Sequence, residues 1–376
     1  MLKVGFSGYG PRAANILREM VMDSGLLSDE VDEDGDRMPL FVPTAFFDID
    51  KTKSKEMTFG AKYCDSFSKL LAEDLDALVV ASPPQFHAEQ VVAGLQQGLH
   101  VFSEVPMSLT IDGINEIIDA CKSSPNARYM LGENYEYHDD VKYAAALAKD
   151  GKLGNLFYTE MEYMHDIRYR WYKPRPDSGI YGPGENDKPK TKPWYAEMNP
   201  LMYAHSIGPL LKIIGKAQGK RKPFISVNAR GNAKVDKITG AMNFTVGLFE
   251  TEDEVVGRAA NAMAIIRKPA RRCLNIYGSL GSFEAHEGDK FSTTRVFLAS
   301  GPSFKEFNRG KMKEVPRKEL VKVGGNDSAL RDWADAIQKK KPATINEIHA
   351  AEQCAAGICA AQSAKTKKQV DIPSFN

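Results

Sequence analysis

At 376 residues the chain is longer than one ordinary core requires, so two domains are expected. Fifty basic residues against 49 acidic leave a formal charge of +1, which removes the electrostatic reason to expect nucleic acid or an anionic membrane as partner. Five scattered cysteines (Cys64, Cys121, Cys273, Cys354, Cys359) offer neither zinc-ligand spacing nor an even disulfide set, which fits a reducing compartment. No apolar run reaches bilayer length, and a first strand under way by Val4 leaves no room for a secretory leader; a cytoplasmic protein acting on a small molecule, with no metal, is expected.

Residues 4 to 13, VGFSGYGPRA, read as strand, glycine turn and helix. The turn Gly8-Tyr9-Gly10-Pro11-Arg12 suits a dinucleotide, because a pyrophosphate must approach backbone N–H groups at a helix N-terminus and a side chain at either glycine would block it. The acidic stretch 23 to 39 reads as a solvated surface loop before the strand Phe41 to Phe47. Asp48 then stands where a carboxylate at the end of the second strand accepts hydrogen bonds from ribose hydroxyls and repels the extra phosphate of NADP, which points to NAD. The acidic insertion lengthens the spacing from the glycines, and Asp50 is the alternative.

A short helix near 66 to 72 precedes the apolar run 75 to 81, which suits a strand covered on both faces. The turn Ser82-Pro83-Pro84-Gln85-Phe86-His87, a helix (88 to 97), a strand (100 to 103), Glu104-Val105-Pro106, a helix (111 to 121) and a strand (127 to 131) follow. This alternation predicts an N-terminal Rossmann-type doubly wound parallel sheet over residues 1–131.

From Gly132 onward the chain reads as an α+β domain, 132–376, with a large and mostly antiparallel sheet. It opens on Glu133-Asn134-Tyr135-Glu136-Tyr137, a helix (139 to 149) and a strand (157 to 164) that ends in Tyr163-Met164-His165-Asp166-Ile167-Arg168. Residues 169 to 198 are too rich in proline and glycine for a regular element, and Trp171, Tyr172, Trp194 and Tyr195 there are candidates for stacking on a sugar or for anchoring the loop. Met202-Tyr203-Ala204-His205-Ser206-Ile207-Gly208-Pro209 comes next. Strands are expected at 225 to 229, 239 to 249, 255 to 264, 274 to 278, 282 to 285 and 293 to 298, with helices at 328 to 340 and 346 to 364. Arg267, Lys268, Arg271 and Arg272 read as a small solvated basic cluster, or one that holds an anionic group, and His138, His286 and His349 as surface or structural histidines.

The segment SPPQFHAEQVVAGLQQGLHVFSEVP, with the glycine turn before it, resembles the Gfo/Idh/MocA oxidoreductases. The resemblance implies that Ser82, Pro83 and Pro84, with His87 as a support of that loop, lie near the dinucleotide, and Glu104 and Val105 beside the nicotinamide. Val105 replaces the lysine with which that family polarises the substrate hydroxyl. The set E-V-P, E-N-x-x-Y, Y-x-H-D-I-R and H-x-I-G-P is similar to that of the NAD-dependent glycosidases of the superfamily, typified by α-N-acetylgalactosaminidases. The tyrosine those enzymes place three residues before the histidine is Met202 here, with Tyr203 next to it.

The resemblance implies a reaction in which bound NAD oxidises the sugar at carbon three, the aglycone leaves by elimination across carbons two and one, water adds, and the ketone is reduced again. It maps His205 to the base for the carbon-three hydroxyl and Tyr163 to the base for the carbon-two hydrogen, with His165 and Arg168 as neighbours that ease ionisation of the phenol. Glu133 maps as a further catalytic residue close to the nicotinamide and the substrate, positioning or relaying protons, Asn134 to the carboxamide side of the cofactor, and Asp166, Arg168, Trp171 and Tyr203 to the substrate. The alternatives are a plain NAD(P)-dependent sugar or polyol dehydrogenase with His205 as acid–base, and a sugar-sensing homologue without activity. A homo-oligomer formed through the C-terminal sheet is expected.

Overall fold

The computed structural model describes residues 1–23, 26–31, 37–55, 59–167, 198–232, 242–265, 271–287, 292–299, 311–324 and 328–375. Its contacts divide into two units, one comprising Met1–Glu133 with Asp327–Ala351, the other Asn134–Asn326 with Glu352–Asn376.

The first unit runs β1 (Leu2–Ser7), α1 (Pro11–Met22), β2 (Leu27–Val31), β3 (Arg37–Pro39), β4 (Phe41–Phe47), β5 (Lys62–Cys64), α2 (Phe67–Leu71) and β6 (Ala77–Val80). It continues with α3 (His87–Gln96), β7 (His100–Ser103), α4 (Ile111–Ser123) and β8 (Tyr129–Leu131). Six strands form a parallel sheet in the order β5-β4-β1-β6-β7-β8, the doubly wound arrangement in which strand order reverses between β1 and β6. All four residues of β6 are buried, as a strand with helices on both faces requires. The side chains of Ser66 and Thr110 cap α2 and α4 by accepting from Lys69 N–H and Gly113 N–H. Residues 23 to 39 depart from the expected loop: β2 and β3 pair as a two-stranded antiparallel sheet, and Leu26 is fully buried with its carbonyl accepting from Leu40 N–H. The acidic composition concealed one apolar anchor.

The second unit contains α5 (Asp139–Lys149), β9 (Leu156–Met164), α6 (Gly208–Gln218), β10 (Phe224–Asn232), β11 (Phe244–Thr251), β12 (Val256–Ala262), β13 (Arg271–Gly278), β14 (Gly281–Glu287), β15 (Thr293–Leu298), β16 (Lys311–Glu314) and α7 (Arg317–Gly324). The chain then contributes α8 (Ala329–Gln338) to the first unit, and α9 (Glu347–Thr366) leads back to β17 (Val370–Asp371) in the second. Nine strands order as β16-β15-β14-β13-β9-β12-β11-β10-β17, antiparallel except for β9 against β12. Alternation along β9 buries Thr159, Met161 and Tyr163 on the side where α5 and α6 pack, and leaves Glu160 and Glu162 on the other.

The return of residues 327–351 differs from a division of the chain at residue 131. Its cause is Trp333, fully buried on α8, which stacks on Phe41 at 5.2 Å and packs against Phe102 at 5.6 Å, with its indole N–H donating to Arg128 O at 3.0 Å. Arg331 reinforces the junction with a forked ion pair to Asp23.

Candidate active site

In the first unit, Gly8 follows β1 with φ +86°, and a Cβ there would lie 2.6 Å from Ser82 N and 2.7 Å from Ala81 O. Only glycine lets the turns after β1 and β6 touch at the point where strand order reverses. Gln90 of α3 ties the same two turns together, its Oε1 accepting from Ser7 Oγ at 2.8 Å and Ser82 Oγ at 2.7 Å. Gly10 differs: it is the N-cap of α1 with φ −90°, and a Cβ there would meet nothing within 4 Å. The open space in front of an uncapped helix N-terminus fits a pyrophosphate, and Pro11 at the first helical position removes a donor that no residue of the helix could satisfy.

Asp48 accepts from Tyr9 N–H at 2.7 Å and from Asp50 N–H at 2.8 Å, which fixes its carboxylate beside the glycine turn. Asp50 instead accepts from Thr52 N–H and Oγ1–H in the next turn, so Asp48 is the better placed of the two. Arg12 reaches Glu104, Nε to Oε1 at 2.7 Å, joining the glycine turn to the E-V-P turn. Burial works against the Arg12 charge, but Glu104, Glu19 and Glu133 outweigh it and raise its pKa. His87 is buried, with Nδ1 2.7 Å from Pro106 O and Nε2 2.7 Å from Ser82 O, so it staples the Ser82 turn to the E-V-P turn and presents neither ring nitrogen to a ligand. Its pKa is lowered, burial outweighing the two carbonyls. Val105 is buried as well, and Glu133 is fully buried.

In the second unit a compact group of rings forms around the end of β9. The Tyr163 hydroxyl and His165 Nδ1 lie 2.5 Å apart. The Tyr163 ring is 5.0 Å from that of His205, edge to face, and Tyr203 stacks beside His205 at 6.1 Å. Tyr135 is the hub, its centroid 4.5 Å from His205, 5.1 Å from Tyr163 and 4.7 Å from His138. Several such ring pairs at about 0.5–1.5 kcal/mol each hold the polar tips in fixed positions.

The backbone under His205 is equally constrained. Asn199 caps the 3-10 turn Pro200–Tyr203 by accepting from Leu201 N–H at 3.0 Å and anchors it by donating to Thr245 Oγ1 at 2.9 Å. Asn261, opposite Tyr163 on β12, donates to Pro200 O at 2.8 Å. Gly357 of α9 packs so closely on the turn that a Cβ would meet Leu201 O at 2.7 Å. Ala204, at φ +62°, turns the chain so that His205 faces the rings, a conformation costing about 1–3 kcal/mol in a residue with a side chain.

The sequence-named Tyr163, His165, Tyr203 and His205 thus stand together, while Met202 is buried in the turn. Asp166 is buried and bridges to Ala264 beyond the end of β9, and Asn134 opens the second unit. Arg168 and Trp171 lie outside the described residues, as do Tyr172, Trp194, Tyr195, Arg267 and Lys268. Tyr135, His138 and Arg272 were not named as site residues. Arg272 is buried and paired with Glu287, where a solvated cluster was expected, because strand alternation turns it inward while Arg271 faces out. Among the described residues no group of three or more His, Cys, Asp or Glu side chains could hold a metal ion, and no helix is long and apolar enough to cross a membrane.

The strand order and the glycine turn define a Rossmann-type doubly wound domain suited to a dinucleotide. Residues 3–133 match the GFO_IDH_MocA oxidoreductase family, NAD-binding Rossmann fold. An uncharacterized oxidoreductase of Streptococcus pneumoniae is 29% identical over 177 residues, 47% of this chain and 42% of that protein. An alpha-N-acetylgalactosaminidase of Shewanella oneidensis is 24% identical over 228 residues, 60% of this chain and 47% of that protein. The matches therefore span less than half of these relatives' length. A levoglucosan dehydrogenase in complex with NADH and L-sorbose has the same fold, with a TM-score of 0.76 at 16% identity over 100% of this chain and 99% of that one.

Proposed function

We propose that the protein is an NAD-dependent enzyme acting on a sugar, and that its net reaction is redox-neutral cleavage of a glycoside. The observation that carries this reading is the pairing of Tyr163 with His165 at 2.5 Å within ring contact of a second titratable side chain, His205. Simple oxidation of an alcohol needs one acid–base group, for the hydroxyl proton. Elimination needs a second base for the hydrogen next to the new ketone. NAD, when bound, supplies the hydride acceptor and returns the hydride at the end of the cycle. His205 takes the carbon-three hydroxyl proton and gives it back. Tyr163 removes the carbon-two hydrogen, and the short contact gives its own proton a route to His165 Nδ1, since a neutral imidazole accepts at one nitrogen and donates at the other. Similarity to an alpha-N-acetylgalactosaminidase supports cleavage of a glycoside as the net reaction.

In the first unit, Asp48 selects NAD by accepting from ribose hydroxyls, and Glu104 keeps Arg12 at the turn where Val105 offers no charge. The sheet face that α5 and α6 do not cover exposes Leu248, Phe297 and Met312, and it is there that a second copy docks to form a homo-oligomer.

The test is incubation with catalytic NAD and a panel of aryl glycosides of both anomers, following aglycone release, deuterium uptake at carbon two and NADH. Release with exchange and no net NADH is the expected outcome. Stoichiometric NADH without release would mean a dehydrogenase, and binding without either would remove the enzymatic reading. His205→Ala is expected to lose turnover by at least about a hundredfold while NAD affinity changes less than about threefold.

A further inference from the structure

Arg272 of β13 lies directly opposite Tyr163 of β9 in the antiparallel ladder, and it is only 8% exposed. Its Nη2 donates to Glu287 Oε2 of β14 at 2.5 Å, and Nη1 stands 3.6 Å from Asp140 Oδ1 in the first turn of α5. The guanidinium carbon is 5.4 Å from the centroid of the Tyr135 ring. A buried cation between two carboxylates stabilises a fold little better than apolar side chains of the same volume. The charges are therefore better explained by what they act on, and the ring in front of them is the hub that touches His205, Tyr163 and His138.

The charged and titratable groups around this point come from each packed element: Asp140 and Lys142 from α5, Glu287 from β14, Arg317 from α7, His205 from its loop, and Tyr135 with His138 from the segment before α5. Asp140 and Glu287 face Arg272 and fix it. His138 faces the cations, and burial, then Arg272, then His205, Lys142 and Arg317 push its pKa down to about 3.

We propose that Arg272, clamped by Glu287 and Asp140 behind Tyr135, is the positioning cation of this ring cluster: it fixes the Tyr135 ring between His205 and Tyr163. The inference deepens the proposed function, since it rests on reading the cluster as the acid–base centre. A guanidinium over a ring face attracts the π system and at the same time opposes a positive charge on the imidazole next to that ring. Arg272 thereby orients the tyrosine without touching substrate, and its charge adds to the burial that lowers the pKa of His138.

The test uses the full chain carrying Arg272→Met, Arg272→Gln or Arg272→Lys, with His138→Asn to assign one resonance in a histidine NMR titration. In the neutral variants His138 is expected to titrate at a higher pH than in the parent, and in Arg272→Lys to stay low. If the methionine variant does not fold, the glutamine variant, polar and uncharged, gives the same reading. With the substrate found by aglycone release, kcat is expected to fall about tenfold with KM changed little, and Arg272→Lys to recover part of the loss. An unmoved His138 titration in a folded neutral variant, or an unchanged kcat, overturns the proposal. A parent protein that releases no aglycone overturns the reaction instead, because the histidine titration needs no substrate.

Discussion

At Gly8 the backbone holds φ +86° against the turn after β6, whereas two residues on Gly10 has an ordinary φ and empty space where a side chain would go. Substitution should therefore separate folding from binding. Gly8→Ala is expected to destabilise the first unit by a few kcal/mol through strain and backbone collision. Gly10→Ala is expected to leave the melting temperature almost unchanged while weakening NAD binding about tenfold or more, measured by calorimetry; unaltered affinity would show that no pyrophosphate approaches there. His138 gives a second test at this scale. Its pKa is about 3 in the folded chain, with burial as the largest cause. An unfolded histidine titrates near 6.5. Between those values the unfolded chain takes up a proton that the folded chain refuses, so stability falls as pH drops from about 6.5 to 3, by at most roughly 5 kcal/mol. Urea unfolding at a series of pH values should show a shallower slope over that window in His138→Gln. Both glycines were legible in the sequence as a strand–turn–helix pattern, but the reason for Gly8, the approach of the turn after β6, lies more than seventy residues away. Neither Tyr135 nor Arg272 was: Arg272 meets the cluster only because β9 pairs with β13 across more than a hundred residues, and Tyr135 only through its ring contacts with Tyr163 and His205.

Among the elements, α8 shows how a short helix decides what belongs to the first unit. It was expected as a helix of the second domain, and its sequence gave no sign of the partner it covers. Trp333, held between Phe41 and Phe102, supplies that partner surface, and Trp333→Ala is expected to cost about 3–5 kcal/mol in denaturant unfolding. A loss under about 1 kcal/mol would mean that α8 adds little to that core. The doubly wound sheet and the large antiparallel sheet were both legible from alternation and apolar runs, since these patterns are set by which faces are covered. The β2–β3 pair, β5, β16 and α7 were not: the four strands are three to five residues long, and α7 has few apolar positions. Elements of that size take their conformation from what they pack against.

At the scale of the whole molecule, near-neutral charge does nothing to keep copies of the chain apart, and the exposed Leu248, Phe297 and Met312 give one sheet face a reason to associate. Light scattering is expected to give a multiple of 41.6 kDa, and Leu248→Asp with Phe297→Asp to return the mass to that of one chain. A parent protein already at 41.6 kDa would end the idea of a docked second copy. The placement of Trp333 also bears on how the protein is made. Phe41 and Phe102 leave the ribosome more than two hundred residues before the indole that covers them, an interval of roughly 10 to 50 s at about 5–20 residues per second. The nucleotide domain is begun first but finished late. Throughout that interval its nascent sheet carries a bare aromatic seam, open to chaperones or to premature self-association, until the distant helix arrives to seal it.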